Sequence, residues 1–252
     1  MVSVEPSAVT ERKVTVATSA GPRARYREQT RTEIKQVALR QLAEGGLPSI
    51  ALTRIAKELG LSGPALYRYF ANRDDLVSAL IRDAYDDMAA ALNAAVPAEP
   101  HPSPRNLLYT LARCYRAWVL DHPHRYLLIA GSPLPGYSAP PDTLARARAA
   151  LGPFVAVFEH ADPQPAVAAL VASMTAWVRD DPDLATWVRG HAPTAQTPEA
   201  AGQAMAGAVL AWTRGHGAVS LEVSGQFEQM GHNPRALFEV EVDTLADIFG
   251  LD

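Results

Sequence analysis

A single cysteine, Cys114, in 252 residues excludes an intrachain disulfide and any zinc site built on clustered thiolates. Long apolar runs are missing too, and none reaches the roughly 18 residues that a membrane-crossing helix needs. The N-terminus lacks an apolar signal-peptide core, so the chain is expected in the cytoplasm with no membrane partner. Catalytic patterns are also absent. No Ser-His-Asp or Cys-His arrangement, spaced metal-ligand set or glycine-rich phosphate loop stands out, so the reading is not an enzyme, with no metal and no cofactor. Charge nearly balances, at 23 Lys and Arg against 27 Asp and Glu, a formal net charge of −4.

What is present is a chain that is 48% hydrophobic, too long for one small helical head and suited to two packed parts. The charge is unevenly placed. Residues 1–82 carry 13 basic against 8 acidic side chains, so +5, and the remainder carries 10 against 19, so −9. A basic end on an acidic body suits a molecule that meets phosphates at one end only.

The most informative stretch is Thr53–Leu76, T-R-I-A-K-E-L-G-L-S-G-P-A-L-Y-R-Y-F-A-N-R-D-D-L. Thr53 is expected to cap a short helix. Ile55, Ala56 and Leu59 form its apolar face, and Gly60 permits the left-handed stop. Leu61 plugs the space between two helices, Ser62 caps the second and Pro64 sits in its first turn. Leu66 and Phe70 point inward. Gly63, Ala65, Tyr67, Arg68 and Tyr69 are left facing out. This is a helix-turn-helix whose second helix presents small, aromatic and basic groups.

Thr53, Ile55-Ala56, Gly60-Leu61-Ser62, Leu66-Tyr67-x-Tyr69-Phe70 and Arg73 followed by Leu76 resemble the DNA-binding domain of TetR-type (tetracycline-repressor-like) regulators. Thr53 lies one residue closer to Ile55 than the family pattern has it. Leu61 stands where Val is commoner, and Tyr69 where His is commoner. Further on, Asp121-His122-Pro123, Tyr126, the loop Pro133-x-Pro135-Gly136-Tyr137 and Trp212-x-x-Gly215-His216-Gly217 resemble the C-terminal domain of one branch of that family.

Along the chain, residues 1–22 show no periodicity and are expected to form a disordered arm. Arg23, Arg25 and Arg27 alternate just before a first helix expected at about Arg27–Glu44. Either they are a solvated helix start or they reach a minor groove or phosphates. Residues 23–72 are expected to form the DNA-binding head, and 73–252 the ligand-binding and dimerisation body. A long helix from Arg73 to about Ala95 carries Leu76, Leu80, Ala84, Met88 and Leu92 at spacings of four. The resemblance implies that it links head to body. Prolines 97, 100, 102 and 104 then break the chain. Helical pattern resumes at about Arg105–Asp121, Thr143–His160, Pro165–Arg189 (interrupted by Pro182) and Arg235–Phe249. The architecture expected is all-α.

The residues expected at double-stranded DNA are Arg25, Thr53, Arg54, Ser62, Gly63, Pro64, Ala65, Tyr67, Tyr69 and Arg73. Tyrosine hydroxyls and basic side chains position the protein on phosphates, while small residues at the start of the second helix let it approach base edges. Lys57 shares the exposed side with Arg54. Tyr109, Arg113, Trp118, Tyr126, Met174 and Trp177 fall on body helices that could line a site for a small apolar or amphipathic ligand, although each could be plain core. Arg113, amid apolar neighbours, reads as a buried cation in need of a partner. In the family the last two long helices pair with those of a second subunit, which places Met205, Ala208, Trp212 and His216 at a homodimer interface. His216 is otherwise a structural histidine, Cys114 an inert buried thiol, and Asp180-Asp181-Pro182-Asp183 a solvated helix end rather than a metal cluster.

The resemblance implies a transcriptional regulator, more often a repressor, released from a near-palindromic operator by its ligand. The alternatives are a DNA-binding regulator or architectural module without an inducer, and an all-α enzyme acting on a small molecule.

Overall fold

The computed structural model describes residues 21–97, 102–131 and 137–252. Residues 1–20 of the arm expected at 1–22, and the Pro133-x-Pro135-Gly136 part of the loop ending at Tyr137, lie outside the described residues. Among the described residues the chain forms eleven α-helices and no strand. Proline and a short polar cap open many of them. Ser62, Asn72, Ser103, Asp181, Thr197 and Asn233 each accept a hydrogen bond from a backbone N–H of the first turn, satisfying a group the helix cannot.

Four helices make the head: α1 (Pro22–Gly45), α2 (Leu52–Glu58), α3 (Gly63–Tyr67) and the first half of α4 (Arg73–Ala94). Ile34, Val37, Ile55, Leu66, Phe70, Leu76 and Leu80 close its core. α1 begins at Pro22, earlier than the periodicity predicts, because proline is well suited to a first helical turn. Arg25 and its alternating partners therefore lie on an exposed helix rather than in an arm.

The body holds the second half of α4 with α5 (Pro104–Asp121), α6 (Pro123–Ala130), α7 (Thr143–Val157), α8 (Ala168–Asp180), α9 (Pro182–His191), α10 (Pro198–Val223) and α11 (Pro234–Ile248). The stretch expected at 165–189 with an interruption at Pro182 is two helices, split where Asp181 caps and Pro182 starts the second. Small residues let α10 lie close to its neighbours. A Cβ on Gly202 would fall 2.2 Å from Thr175 of α8, and one on Gly207 would fall 2.2 Å from the Phe158 ring just past α7.

α4 belongs to both parts. Leu76, Val77, Ala79, Leu80 and Ile81 lie in the head core, and Ala84, Met88, Ala89 and Leu92 in the body core. α6 touches both as well: Tyr126 is buried in the body, while Leu128 and Ile129 pack against the head. Ser78 of α4 shares a 2.9 Å hydrogen bond with the Tyr137 hydroxyl, and Arg82 forks onto Asp142, the residue before α7, at 2.8 and 3.1 Å.

Candidate functional site

The outward-facing unit is built from α2, the turn and α3. Gly60 takes φ of +65°, and the Leu61 N–H donates back to the Ala56 carbonyl at 2.8 Å, so the chain reverses within three residues. Ser62 then accepts from the Ala65 N–H at 3.3 Å and starts α3. Leu66 and Phe70 are buried behind it, and Leu61 packs on the same core. The α2 cap differs from expectation. Ala51, extended, precedes the helix, and its N–H donates to Gln41 Oε1 at 3.0 Å. Thr53 thus lies inside the first turn with its side chain exposed.

Thr53, Arg54, Ser62, Gly63, Pro64 and Tyr67 all present exposed surface, with Tyr67 52% exposed. Ala65 is half-buried, as is Tyr69, which packs on the head core while its carbonyl accepts from Arg31 at 2.8 Å. The same Arg31 guanidinium lies 4.1 Å from the centre of the Phe70 ring, tying α1 to the end of the reading unit. Arg54 pairs with Glu44 across an exposed surface, an interaction that a phosphate can outcompete. Arg73 has a different task from the one expected. Its Nε donates to the Ile50 carbonyl at 3.1 Å and another guanidinium nitrogen to the Leu47 carbonyl, so it fixes the turn ahead of α2 to the start of α4. Arg68 is exposed beside Tyr67 and forms no ion pair among the described residues; its outward position was legible, but it was left out of the candidate set.

The body contains a chamber of about 350 Å³ between α4, α5, α6, α7, α8 and α10. Its walls include Tyr85, Tyr126, Phe154, Trp177, Met205 and Trp212. Leu144, Trp177 and Trp212 are 60%, 41% and 52% exposed, an apolar collar at its mouth. One polar pair lies in the wall, where the Tyr126 hydroxyl and His216 Nδ1 are 2.8 Å apart. Burial pushes Tyr115, Tyr126 and Tyr85 up, so all three are neutral phenols, and burial pushes His216 down, away from its cationic form.

Of the six residues expected at a ligand, Tyr126 and Trp177 line this chamber and four do not. Arg113 is a correction: its side chain is 60% exposed and pairs with Glu239 at 3.7 Å, because it points away from the Leu108, Leu111, Ala112, Tyr115 stripe that buries α5. Tyr109 donates to Asp243 at the α5–α11 surface. Trp118 is buried but donates from Nε1 to Asp87 at 3.0 Å, and Met174 packs half-buried against the body core. The dimer assignment is corrected for Met205 and Ala208, which are 3% and 0% exposed within one chain; Trp212, 52% exposed, and His216 line the chamber. Cys114 is half-buried, its thiol pushed up by burial and 3.5 Å from the Ala91 carbonyl. Asp181 is spent on capping α9, accepting from the N–H groups of Asp183 and Leu184.

An exposed helix-turn-helix head on a hollow helical body defines a two-part helix-turn-helix regulator as the class of protein. Residues 34–80 match the model for bacterial regulatory proteins of the tetR family, and residues 108–245 match the tetracyclin repressor-like C-terminal domain. The chain belongs to the tetR family of bacterial regulatory proteins. It is 32% identical over 232 residues to the HTH-type transcriptional regulator Rv1816 of Mycobacterium tuberculosis, covering 90% of this chain and 95% of the relative. The crystal structure of SCO4313 is 40% identical and superposes with a TM-score of 0.69, over 90% of this chain and 100% of that one. A protein of unknown function from Rhodococcus sp. RHA1 shares the fold at 21% identity and a TM-score of 0.60, over 88% of this chain and 94% of its own. The Trp212–Gly217 stretch falls inside the second family match.

Proposed function

We propose that this chain is a sequence-specific DNA-binding transcriptional regulator, acting as a homodimeric repressor in the cytoplasm. A small apolar or amphipathic molecule in the chamber releases it from a near-palindromic operator. The observation that carries the DNA reading is the exposure of Ser62, Gly63, Pro64, Tyr67 and Arg68 on a helix buried behind by Leu66 and Phe70. Such a helix enters a major groove, with its small N-terminal residues near base edges and its hydroxyl and basic groups on phosphates. Two copies read two half-sites, and affinity falls steeply with salt because phosphate neutralisation dominates it.

Pairing of the copies uses outward apolar side chains of the last two helices, such as Leu221, Leu237 and Val240, which are 45%, 37% and 58% exposed. The chamber supplies the input and α4, shared by both cores, the connection. A ligand releases DNA only to the extent that it favours the non-binding arrangement of the two heads. Genomic footprinting with the purified protein tests the reading. Tyr67→Ala is expected to weaken operator binding by about 1–3 kcal/mol with the dimer intact. A gel-shift affinity equal to wild type would count against the docking.

A further inference from the structure

The walls of the chamber are almost entirely apolar and aromatic, with one charged exception. Arg148 of α7 lines it, and its side chain is only 23% exposed. Every other side chain in the wall is uncharged: the phenols Tyr85, Tyr115 and Tyr126 are held neutral, and so is His216. No carboxylate lines the chamber.

Arg148 is also poorly served by the protein. Its one ion-pair contact is Asp181 Oδ2 at 3.9 Å, beyond hydrogen-bond reach, and it makes no hydrogen bond among the described residues. The other oxygen of Asp181 is taken by the α9 cap. Elsewhere in the body Arg116 forks onto Glu222, Arg82 onto Asp142, and Arg105 donates to the Leu251 carbonyl at 3.0 Å; Arg214, 25% exposed and outside this chamber, reaches Glu241 only at 3.6 Å. A guanidinium carries five donors in a planar fork that matches a carboxylate, and leaving it half-desolvated without an acceptor is costly.

The rest of the wall narrows the partner further. Trp177, Trp212, Phe154 and the three tyrosines offer flat apolar faces. A protonated amine would meet no counter-charge in this wall, only a guanidinium of its own sign.

We propose that the chamber selects an amphipathic aromatic acid, whose carboxylate forks onto Arg148 and whose flat body lies among the tryptophans and tyrosines. This rests on the chamber being the ligand site. A cavity of 350 Å³ accommodates a body of about two or three rings. The acid releases the protein from DNA, and the corresponding neutral or cationic compounds do so poorly.

The test uses the full chain and matched probes: 2-naphthoate, 4-phenylbenzoate and 9-anthracenecarboxylate, their carboxamides, and 9-(aminomethyl)anthracene. Binding is followed by tryptophan emission, and release by gel shift on a footprinted site. At least one acid is expected to bind ten times or more tightly than its amide. Arg148→Gln should remove that preference without lowering the melting temperature, and Arg148→Lys should keep part of it. Equal affinities for acid and amide, tighter binding of the amine, or a preference that survives Arg148→Gln overturns the acid assignment while the ligand site stands. If no probe binds, or if binding survives filling the chamber with Ala147→Trp, the ligand-site reading itself fails and takes the proposal with it.

Discussion

The head and the body are both helical, yet they are packed to different ends. The head core, from Ile34 through Phe70 to Ile81, is closed by large aliphatic and aromatic side chains, and its exposed face carries the chemistry. The body has a larger core but leaves a chamber of about 350 Å³ within it, so its chemistry faces inward. A filled core holds a reading surface to one shape. A hollow one leaves room for a second arrangement when something occupies it. On the proposed function, the difference gives the output to the filled part and the input to the hollow one.

The strongest challenge to this division is to damage the head core alone. Phe70→Ala removes a fully buried ring and should cost about 3–5 kcal/mol. DNA binding should vanish, while chamber ligands still alter tryptophan emission. Loss of both in one unfolding transition would mean that α4 fuses the two cores into a single cooperative unit.

A pair of glycines sharpens the contrast at intermediate size. Gly207→Ala drives a Cβ to 2.2 Å from the Phe158 ring and should destabilise the body by about 1–3 kcal/mol through overpacking. Gly63→Ala meets nothing within 4 Å, so the melting curve should barely move. Its effect should appear in gel shifts instead, where the added methyl obstructs approach to the groove. A Gly63→Ala protein with unaltered operator affinity would remove this residue from the interface.

The smallest effect concerns pH. Burial lowers His216 below its ordinary value, so the unfolded chain takes up a proton more readily than the folded one. The stability that neutral His216 contributes is present above pH 6.5 and is lost as pH falls through its lower folded value. Melting temperatures at pH 7.5 and 5.5 should therefore differ more for wild type than for His216→Asn. Equal differences would place the sensitivity elsewhere.

Much of the head was legible because its signals are local. Gly60, Ser62 and Pro64 each act within a turn of their own position, so spacing alone locates the reversal. The body resisted for two reasons. Arg113 sits among apolar letters, yet its phase on α5 turns it outward, while Arg148 in a run of alanines shares a face with Leu144 and Leu151. Counting phase rather than neighbours would have separated them. The small residues around Met205 announce close helix contact without saying whose helix approaches. Gly202 and Gly207 lie against Thr175 and Phe158 of the same chain, so the closeness is internal. Nothing local marks the chamber, because its walls come from six helices spread over more than a hundred residues.

Arg73 carries a mechanical consequence. By gripping the carbonyls of Leu47 and Ile50, it makes the turn before α2 move with the first turn of α4. Any tilt of the α4 axis would then carry the head with it as one lever. Twenty-two residues make that arm about 33 Å long. A tilt of about 5° at the body end carries the far end through about 3 Å, close to the 3.4 Å rise between successive bases. On the proposed function, lever geometry of this kind turns a smaller adjustment beside Tyr85 and Met88 into a displacement of the reading helix close to a base step.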